Sequence, residues 1–228
     1  CGPIDDLFIS EYIKGSSNNK AIEIYNGTGA DVELGVYNLW QINNGGIWFE
    51  KELELPDSTL EAGDVFVVCR ASADEAILIV CDDTTNSSVM NFNGDDAIGL
   101  ARDSVLIDAV GKAGVDPGDG WDVAGKLNAT KDHTLVRKTT EAGGNLGGYL
   151  NWDISAGTDA ENSEWEVYAK DTLNYLGSHN YKTMSIRSDG TVPAQFVLLP
   201  NYPNPFNPAT TISFFIPEFG LTTITAFD

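Results

Sequence analysis

Side chains that carry oxygen gather in two short stretches of the sequence, and oxygen is the ligand that calcium prefers. The stretches are FNGDD and DPGDGWD, and their candidate ligands are Asn93, Asp95, Asp96, Asp116, Asp119 and Asp122. Neither stretch has the spacing of an EF-hand loop. Aspartate and asparagine also favour ordinary turns, which is an alternative explanation for both stretches. Calcium is therefore a candidate cofactor, and turn formation is the competing interpretation.

The histidines offer no metal site or catalytic site by their spacing. His133 stands just before an apolar segment and His179 stands at a domain edge. Neither has a cysteine or a second histidine at the spacing of zinc ligands. The nucleophile-elbow, phosphate-loop and dinucleotide-binding motifs are also missing from the sequence. We therefore predict that the chain is not an enzyme and that it binds no zinc.

The cysteines predict one disulfide. Cys69 ends the apolar segment DVFVVC, and Cys81 ends the apolar run AILIVC after a short intervening loop. An oxidised pair would stabilise the fold by about 3 kcal/mol, because it closes a loop in the unfolded chain. The alternative is two buried free thiols that behave as small apolar side chains. Cys1 is left over in either case.

The charge balance restricts the classes of partner. The chain has 34 acidic and 13 basic residues among 228, which gives a formal net charge of −21. A surface this acidic repels phosphate backbones, so we expect no direct binding to nucleic acid. Hydrophobic residues make up 42% of the chain, which favours a folded core. No apolar run is long enough for a transmembrane segment.

Alternation of apolar and polar residues identifies the strands. Residues 7–13 and 21–25 alternate with a period of two on either side of a loop rich in serine and asparagine, and this pattern predicts two paired strands. A further strand is predicted at 30–40 with a turn at Gly35, and others at 47–55, 65–69, 89–92, 97–101, 105–110 and 134–138. A change of period at 71–80 predicts one short helix with Ser72 as its N-cap.

Many short strands separated by glycine-rich turns indicate an all-β sandwich. Residues 111–126 and 141–149 are predicted loops, and 152–168 reads as irregular with embedded aromatic residues. Strict alternation predicts that one core contains Ile9, Ile22, Ile24, Val65, Val67, Leu106 and Val110.

A set of motifs spread over residues 7–179 carries a family resemblance. The motifs are ISEYIKGSSNNKAIEIYNGTGADVELGVYNL, DVFVV, NFNGDDAIGL, VLIDAVGKAGVDPGDGWDVAG, DHTLVRK and EWEVYAKDTLNYLGSH. Together they resemble the lamin tail domain, in the secreted bacterial branch of that family. The resemblance implies an immunoglobulin-like β-sandwich over residues 1–179 with no catalytic residue.

The composition changes after residue 179. Residues 180–195 are polar and are predicted to form a linker. The run NYPNPFNP that follows resembles the start of the carboxy-terminal sorting domain of proteins exported by type IX secretion. We therefore predict that residues 196–228 are a partial sorting domain, a separate β unit with strands at 211–216 and 221–227. This unit would serve as an address or attachment handle.

Three classes of function stay open. The first is a non-enzymatic secreted or cell-surface module that binds another protein or a cell-surface component. The second is a subunit of an extracellular filament or sheath, in which copies pair through exposed strand edges. The third is an accessory domain of an extracellular nuclease or other hydrolase whose catalytic region lies in another part of the protein.

Overall fold

The chain divides into two compact units, Cys1–Thr183 and Met184–Asp228. The computed structural model describes residues 4–141, 143–144, 152–181, 197–198 and 214–215. The strands, in chain order, are β1 (Phe8–Lys14), β2 (Lys20–Tyr25), β3 (Val32–Glu33), β4 (Tyr37–Ile42), β5 (Lys51–Glu54), β6 (Thr59–Leu60), β7 (Val65–Arg70), β8 (Asp83–Thr85), β9 (Ala97–Arg102), β10 (Val105–Val110), β11 (His133–Arg137), β12 (Trp165–Ala169), β13 (Val197–Leu198) and β14 (Phe214–Phe215).

The first unit is a β-sandwich of two sheets, which confirms the predicted all-β class. The larger sheet has the order β12-β11-β1-β2-β7-β8, and the smaller has the order β10-β9-β4-β5. All neighbours are antiparallel except β7 and β8, which run parallel. A two-stranded ribbon of β3 and β6 lies beside them. The predicted opening pair is confirmed, because β1 and β2 pair with Ile9 opposite Ile24 and Tyr12 opposite Ile22.

Buried side chains form two clusters rather than the single core that the alternation predicted. The main cluster lies between the sheets and includes Ile9, Ile22, Ile24 and Val110, as predicted. Val65 and Val67 are buried too, but they lie in a second cluster that contains Phe8, Ile13, Cys69, Ile77 and Leu176. Side chains alternate between the faces of a strand. The larger sheet is therefore covered on both of its faces.

Leu106 is the one predicted core residue that the structure does not fully bury. The register between β9 and β10 shifts between Leu106 and Asp108, which marks a β-bulge. An extra residue at a bulge breaks the alternation of faces. Leu106 is consequently only half-buried. A Cβ added to Gly99 of β9 would lie 2.5 Å from its Cδ1, so Leu106 packs directly against that glycine.

The helices also differ from the prediction. There are two short helices in the described residues, α1 (Glu75–Leu78) and α2 (Trp152–Ala156), where one was predicted. The N-cap of α1 is Asp74 rather than Ser72. Asn19 determines this start, because its Oδ1 accepts from the Asp74 backbone N–H and its Nδ2 donates to Asp74 Oδ2, both at 2.9 Å.

Three predicted segments need correction. Residues 89–91 belong to a 3₁₀ turn (Ser88–Asn91) and Phe92 is its C-cap. Val89, Met90 and Phe92 are buried, which is why the run looked like a strand. The segment 47–55 contains only β5, because Glu50 accepts backbone N–H groups from Asn43 and Ile47 and thereby closes a turn. The segment 152–168 is not irregular, since it contains α2 and most of β12.

The structure joins Cys69 to Cys81 by a disulfide, with the two Cα atoms 6.0 Å apart. The bridge ties β7 to the segment that follows α1. Cys1 lies outside the described residues. No helix in the described part of the chain combines the length and the apolar character that crossing a membrane requires.

The second unit is described only at its two short strands. β13 pairs antiparallel with β14, with Val197 opposite Phe215 and Leu198 opposite Phe214. The predicted strand at 211–216 is thus described at 214–215, while the predicted strand at 221–227 lies outside the described residues. The same holds for most of the predicted linker, which is described only at residues 180–181.

Candidate functional site

A buried arginine at the end of β11 is the centre of a hydrogen-bonded cluster. Arg137 Nη2 donates to both carboxylate oxygens of Asp108, at 3.0 and 2.8 Å, and Nε donates to the Ile9 carbonyl at 2.9 Å. Its Nη1 donates to Glu164 Oε2 at 2.7 Å, and Ser155 Oγ donates to the same oxygen at 2.5 Å. We call these five residues the Arg137 cluster. It joins β1, β10 and β11 to the segment before β12.

Two β-bulges and two aromatic rings position the cluster. The register of β10 shifts just before Asp108, and the register of β1 shifts just after Ile9, whose backbone N–H donates to Asp108 Oδ2 at 2.8 Å. The guanidinium carbon of Arg137 lies 4.3 Å from the ring centre of Trp165 and 5.5 Å from that of Phe8. Both rings are placed to stabilise the buried cation through their π faces.

The Arg137 cluster is built to hold strands together. Arg137 and Asp108 are both fully buried, so neither reaches a molecule in solution. Burial raises the pKa of the Glu164 carboxyl, while the Arg137 charge and the Ser155 hydroxyl act in the opposite direction. A catalytic acid or base must come within hydrogen-bond distance of its substrate. The cluster therefore has a structural role.

A pair of buried carboxyl groups lies on the face of the larger sheet that the second cluster covers. Glu11 of β1 is directly opposite Glu23 of β2, and both side chains are almost fully buried. Glu23 accepts from Ser10 Oγ and from the Gly177 backbone N–H, each at 2.7 Å. Neither carboxyl oxygen of Glu11 has a hydrogen-bond partner among the residues that the structure describes. Burial, and next the Glu23 charge, raise the pKa of Glu11 to about 9, so Glu11 is neutral at pH 7.

The histidines fulfil structural roles. His133 Nδ1 lies 2.7 Å from the Lys131 carbonyl oxygen, so this nitrogen carries the proton and donates. His179 is buried against the rings of Phe8 and Tyr25, with ring centres 5.7 and 4.8 Å away. Burial, and next the Arg137 charge, lower the pKa of His179 to about 4. Neither histidine lies in a group of metal-ligating side chains within the described residues.

The first set of calcium candidates forms a turn before β9. The Asn93 backbone N–H donates to Asp96 Oδ2 at 3.0 Å, which is the hydrogen bond of a turn-forming aspartate. Burial, and next the Asp95 charge, raise the pKa of Asp96. Asp95 Oδ1 is buried, and no described residue forms a hydrogen bond with it. These side chains are brought close together, but two carboxylates do not complete a calcium coordination shell.

The second set of calcium candidates is dispersed along its loop. Asp116 accepts from the Gly118 backbone N–H at 2.8 Å, and Asp122 accepts from the Asn128 backbone N–H at the same distance. Asp119 forms an ion pair with Lys131. No group of three or more His, Cys, Asp or Glu side chains that could hold a metal occurs in the part of the chain that the structure describes. Calcium binding at either set stays a prediction.

The loop that contains Asp122 forms one wall of an open cleft. The cleft has a volume of about 580 Å³ and lies between residues 117–128 and the segment 152–158 that contains α2. Trp121 and Trp152 line it, with ring centres 6.4 Å apart in an edge-to-face arrangement. Leu127 also lines it and is 73% exposed. We call it the Trp121 cleft.

A second feature is an exposed apolar surface beside the smaller sheet. Ile47 is 75% exposed and Phe49 is 61% exposed in the turn between β4 and β5. Val115 is 41% exposed and lies beside the same turn, since a Cβ on Gly45 would come within 2.7 Å of its carbonyl carbon. We call Ile47, Phe49 and Val115 the tip surface.

Among protein families, the lamin tail domain has a family model that matches residues 3–114 of this chain. The lamin tail domain is a non-catalytic, immunoglobulin-like β-sandwich, in agreement with the two packed sheets. The match includes β1 to β10 and the turn that carries Ile47 and Phe49. It ends before Arg137 and before the Trp121 cleft. No curated protein matches the chain.

Sequence reasoning missed both surfaces and the Arg137 cluster. Arg137 lies within the predicted strand 134–138, and nothing local shows that its side chain pairs with the distant Asp108. The two walls of the Trp121 cleft were predicted as a loop and an irregular segment, and Asp122 was considered only as a calcium ligand. A usable indication existed for the tip surface: Ile47-Trp48-Phe49 places consecutive apolar residues next to a turn dipeptide, Gly45-Gly46.

Proposed function

We propose that this chain is a non-catalytic module that attaches to a protein partner outside a bacterial cell, and that the tip surface is its contact. The observation that carries the proposal is the exposure of Ile47 and Phe49. Large apolar side chains that are exposed together mark interaction sites more often than isolated ones do. A buried aromatic or aliphatic anchor typically supplies much of the binding energy of a protein interface.

The turn that presents Phe49 is strained and firmly held. Phe49 has a φ of +48°, which is rare for a bulky residue and costs free energy. Its ring contacts Trp40 of β4, with ring centres 4.9 Å apart. Glu50 accepts two backbone N–H groups, and the Gly114 N–H donates to the Gly46 carbonyl at 2.9 Å. A preorganised loop loses little entropy on binding.

Charge around the tip surface favours a basic partner. Glu50, Glu52 and Asp116 are exposed close to the apolar side chains. Lys51 turns its ammonium group back to Gln41 Oε1 at 2.7 Å and to Asn43 Oδ1. A second copy of a chain with net charge −21 would be repelled. The partner that fits is a protein surface with an apolar pocket bordered by lysine or arginine.

The tip surface can be tested with a peptide probe. The probe has one leucine face bordered by lysines, and its controls replace the lysines by glutamate or the leucines by serine. We expect the lysine–leucine peptide to shift the NMR signals of residues 43–52 and 114–116. The double variant Ile47→Ser/Phe49→Ser should bind this peptide at least about tenfold more weakly, because each lost anchor costs more than 1 kcal/mol.

The matched control is Ile79→Ser, because Ile79 is as exposed as Ile47 and lies after α1. This variant should bind the lysine–leucine peptide like the unaltered protein. Shifts at other residues, or equal binding of the glutamate-bordered peptide, would contradict the proposed contact. Concentration-dependent dimers that the double variant abolishes would instead indicate self-association and favour the filament class.

The proposed location outside the cell rests on a sequence resemblance. The run NYPNPFNP, residues 201–208, resembles the start of a type IX sorting domain. Deletion of residues 196–228 should abolish export from a bacterium with that secretion route, while the first unit keeps its fold. The measurement is the amount of protein at the cell surface and in the medium, with circular dichroism of the purified variant. A shuffled 182–195 segment is the control and should leave export intact. Unchanged export after the deletion would refute the role as an address.

A further inference from the structure

We propose that the outer edge of β12 binds an extended strand of a protein partner, which joins the larger sheet as its next strand. β12 stands at one end of the strand order, and within the described residues it pairs with β11 alone. An exposed edge presents backbone N–H and C=O groups with which a strand of another molecule can pair. The inference uses residues other than those of the tip surface and does not depend on it.

The register of β12 shows which of its backbone groups face outward. The Lys138 N–H donates to the Glu164 carbonyl at 2.8 Å, just before β12 begins. Hydrogen-bonded and non-hydrogen-bonded pairs alternate along an antiparallel ladder. Trp165, Val167 and Ala169 are therefore the residues of β12 that form no backbone hydrogen bonds with β11. Their N–H and C=O groups point away from the sheet.

The chain itself closes both ends of this edge. The Trp165 N–H donates to Ser163 Oγ at 3.0 Å, and the Ala169 carbonyl accepts from the Thr172 N–H at 3.2 Å. In the part of the chain that the structure describes, the groups left for a partner are the Trp165 carbonyl, the Ala169 N–H and both groups of Val167. They fit a short strand centred opposite Val167. An antiparallel strand fits best, because antiparallel pairing is slightly more stable per residue.

Two clefts beside the edge provide space for the side chains of an added strand. The first has a volume of about 430 Å³ and is lined by Val167, Lys126 and Lys138, and we call it the Lys126 cleft. The second has a volume of about 220 Å³ and is lined by Glu166 and Tyr175, and we call it the Tyr175 cleft. Successive side chains of a strand point to opposite faces of a sheet. An added strand would therefore direct alternate side chains into the two clefts.

The charges beside the edge determine which partner side chains fit. Lys126 and Lys138 line the Lys126 cleft, where they would meet an acidic side chain that stands opposite Val167. Glu166 is exposed on the other face of β12, and a basic side chain directly opposite it forms a favourable cross-strand pair. In an antiparallel partner strand these two side chains are consecutive. The partner that fits therefore carries an acidic residue followed by a lysine or arginine.

The experiment is an NMR titration of the full chain with the peptide acetyl-Ser-Thr-Val-Glu-Lys-Val-Thr-Ser-amide. The control peptide exchanges its glutamate and lysine and keeps every other residue. We expect the Glu-Lys peptide to shift the amide signals of residues 163–170. The control peptide should bind at least about fivefold more weakly, because its charges no longer match the two clefts.

N-methylated peptides test whether the contact is a strand pairing. N-methylation of the peptide glutamate removes the N–H that would donate to the Val167 carbonyl, so it should abolish binding. N-methylation of the peptide lysine removes an N–H that would point away from β12, so binding should persist. Other modes of contact would not distinguish these two positions.

Two variants of the protein locate the site. Val167→Pro removes an N–H that faces away from β11, a position at which an edge strand tolerates proline, and it should abolish binding. Glu166→Lys places like charges opposite each other and should weaken binding of the Glu-Lys peptide at least about fivefold. Because Glu166 is exposed, this second variant keeps the test decisive if Val167→Pro is unstable. The control, Glu54→Lys, changes an exposed glutamate of β5 at the edge of the smaller sheet, and it should bind normally.

Several outcomes would overturn the proposal. They are no binding of the Glu-Lys peptide, equal affinity for the two peptide orders, binding that survives N-methylation of the glutamate, and unchanged binding by Glu166→Lys. Concentration-dependent dimers that Val167→Pro abolishes would also overturn it, because a second copy of the chain would then occupy the edge of β12.

Discussion

Replacing Arg137 by methionine should lower the free energy of unfolding by about 3–5 kcal/mol, because removal of one member of a buried ion pair leaves the other charge uncompensated. Asp108 would keep its backbone hydrogen bond from Ile9 but lose both contacts to the guanidinium. Glu164 would lose its Arg137 contact as well. Urea unfolding followed by tryptophan fluorescence measures the change.

Arg102 provides the matched control. It pairs with Asp6 at 3.2 Å, but its side chain is 47% exposed. Arg102→Met should therefore cost at most about 1 kcal/mol, as exposed ion pairs usually do. The double variant Arg137→Met/Asp108→Leu should recover part of the loss, since it also removes the buried carboxylate charge that Arg137 balances. Equal effects of Arg137→Met and Arg102→Met would show that the Arg137 cluster does not hold the strands together.

Glu11→Gln should stabilise the fold increasingly as the pH rises from 4.5 to 9. The pKa of Glu11 is about 9 in the folded chain and 4.5 as its ordinary value. In this window the unfolded chain releases the proton and the folded chain retains it. Stability therefore falls with rising pH, by at most about 1.4 kcal/mol per pH unit from this group. Glutamine removes the titrating proton and hence this slope.

The measurement is a set of urea unfolding curves between pH 4.5 and 9. His179 contributes the opposite slope in the acidic part, because its pKa falls from 6.5 to about 4 on folding. Between these two pKa values the unfolded chain protonates His179 more readily than the folded chain does. The free energy of unfolding therefore decreases as the pH falls from 6.5 to about 4. Glu54→Gln, at an exposed position of β5, is the control. Parallel pH profiles of Glu11→Gln and the unaltered protein would refute the buried neutral carboxyl.

The part of the fold that could be predicted is the part where one face of a strand is apolar. β1 and β2 alternate apolar and polar residues, so their pairing followed from the pattern. Even here the pattern hid something, because Glu11 and Glu23 occupy polar positions of the alternation and are nevertheless buried. Their face is covered by residues 173–181 and by α1, which lie far away in sequence. Alternation distinguishes the two faces of a strand, but it does not show whether the polar face is exposed to solvent or covered by another segment.

The remaining differences come from long-range contacts. The bulge at Leu106 and Asp108 has no glycine or proline to mark it, and its position makes sense only with Arg137 opposite. The turn at Ile47–Glu50 forms because the Glu50 carboxylate accepts backbone N–H groups. The β-branched and aromatic residues of this segment favoured a strand, so the sequence did not show the turn. The Trp121 cleft forms because Thr130 and α2 hold its loop, and no local pattern shows these contacts.

The arrangement of β1 has a consequence for how the protein assembles during synthesis. Ile9 and Arg137 are hydrogen-bonded although they are 128 positions apart in the chain. At about 5–20 residues per second, β11 leaves the ribosome several seconds or more after β1. During this interval one edge of β1 is unpaired and can join a strand of another chain. Residues 3–114, the segment that the lamin tail domain model matches, contain neither β11 nor β12. Expressed alone, that segment would keep the open edge permanently and should aggregate.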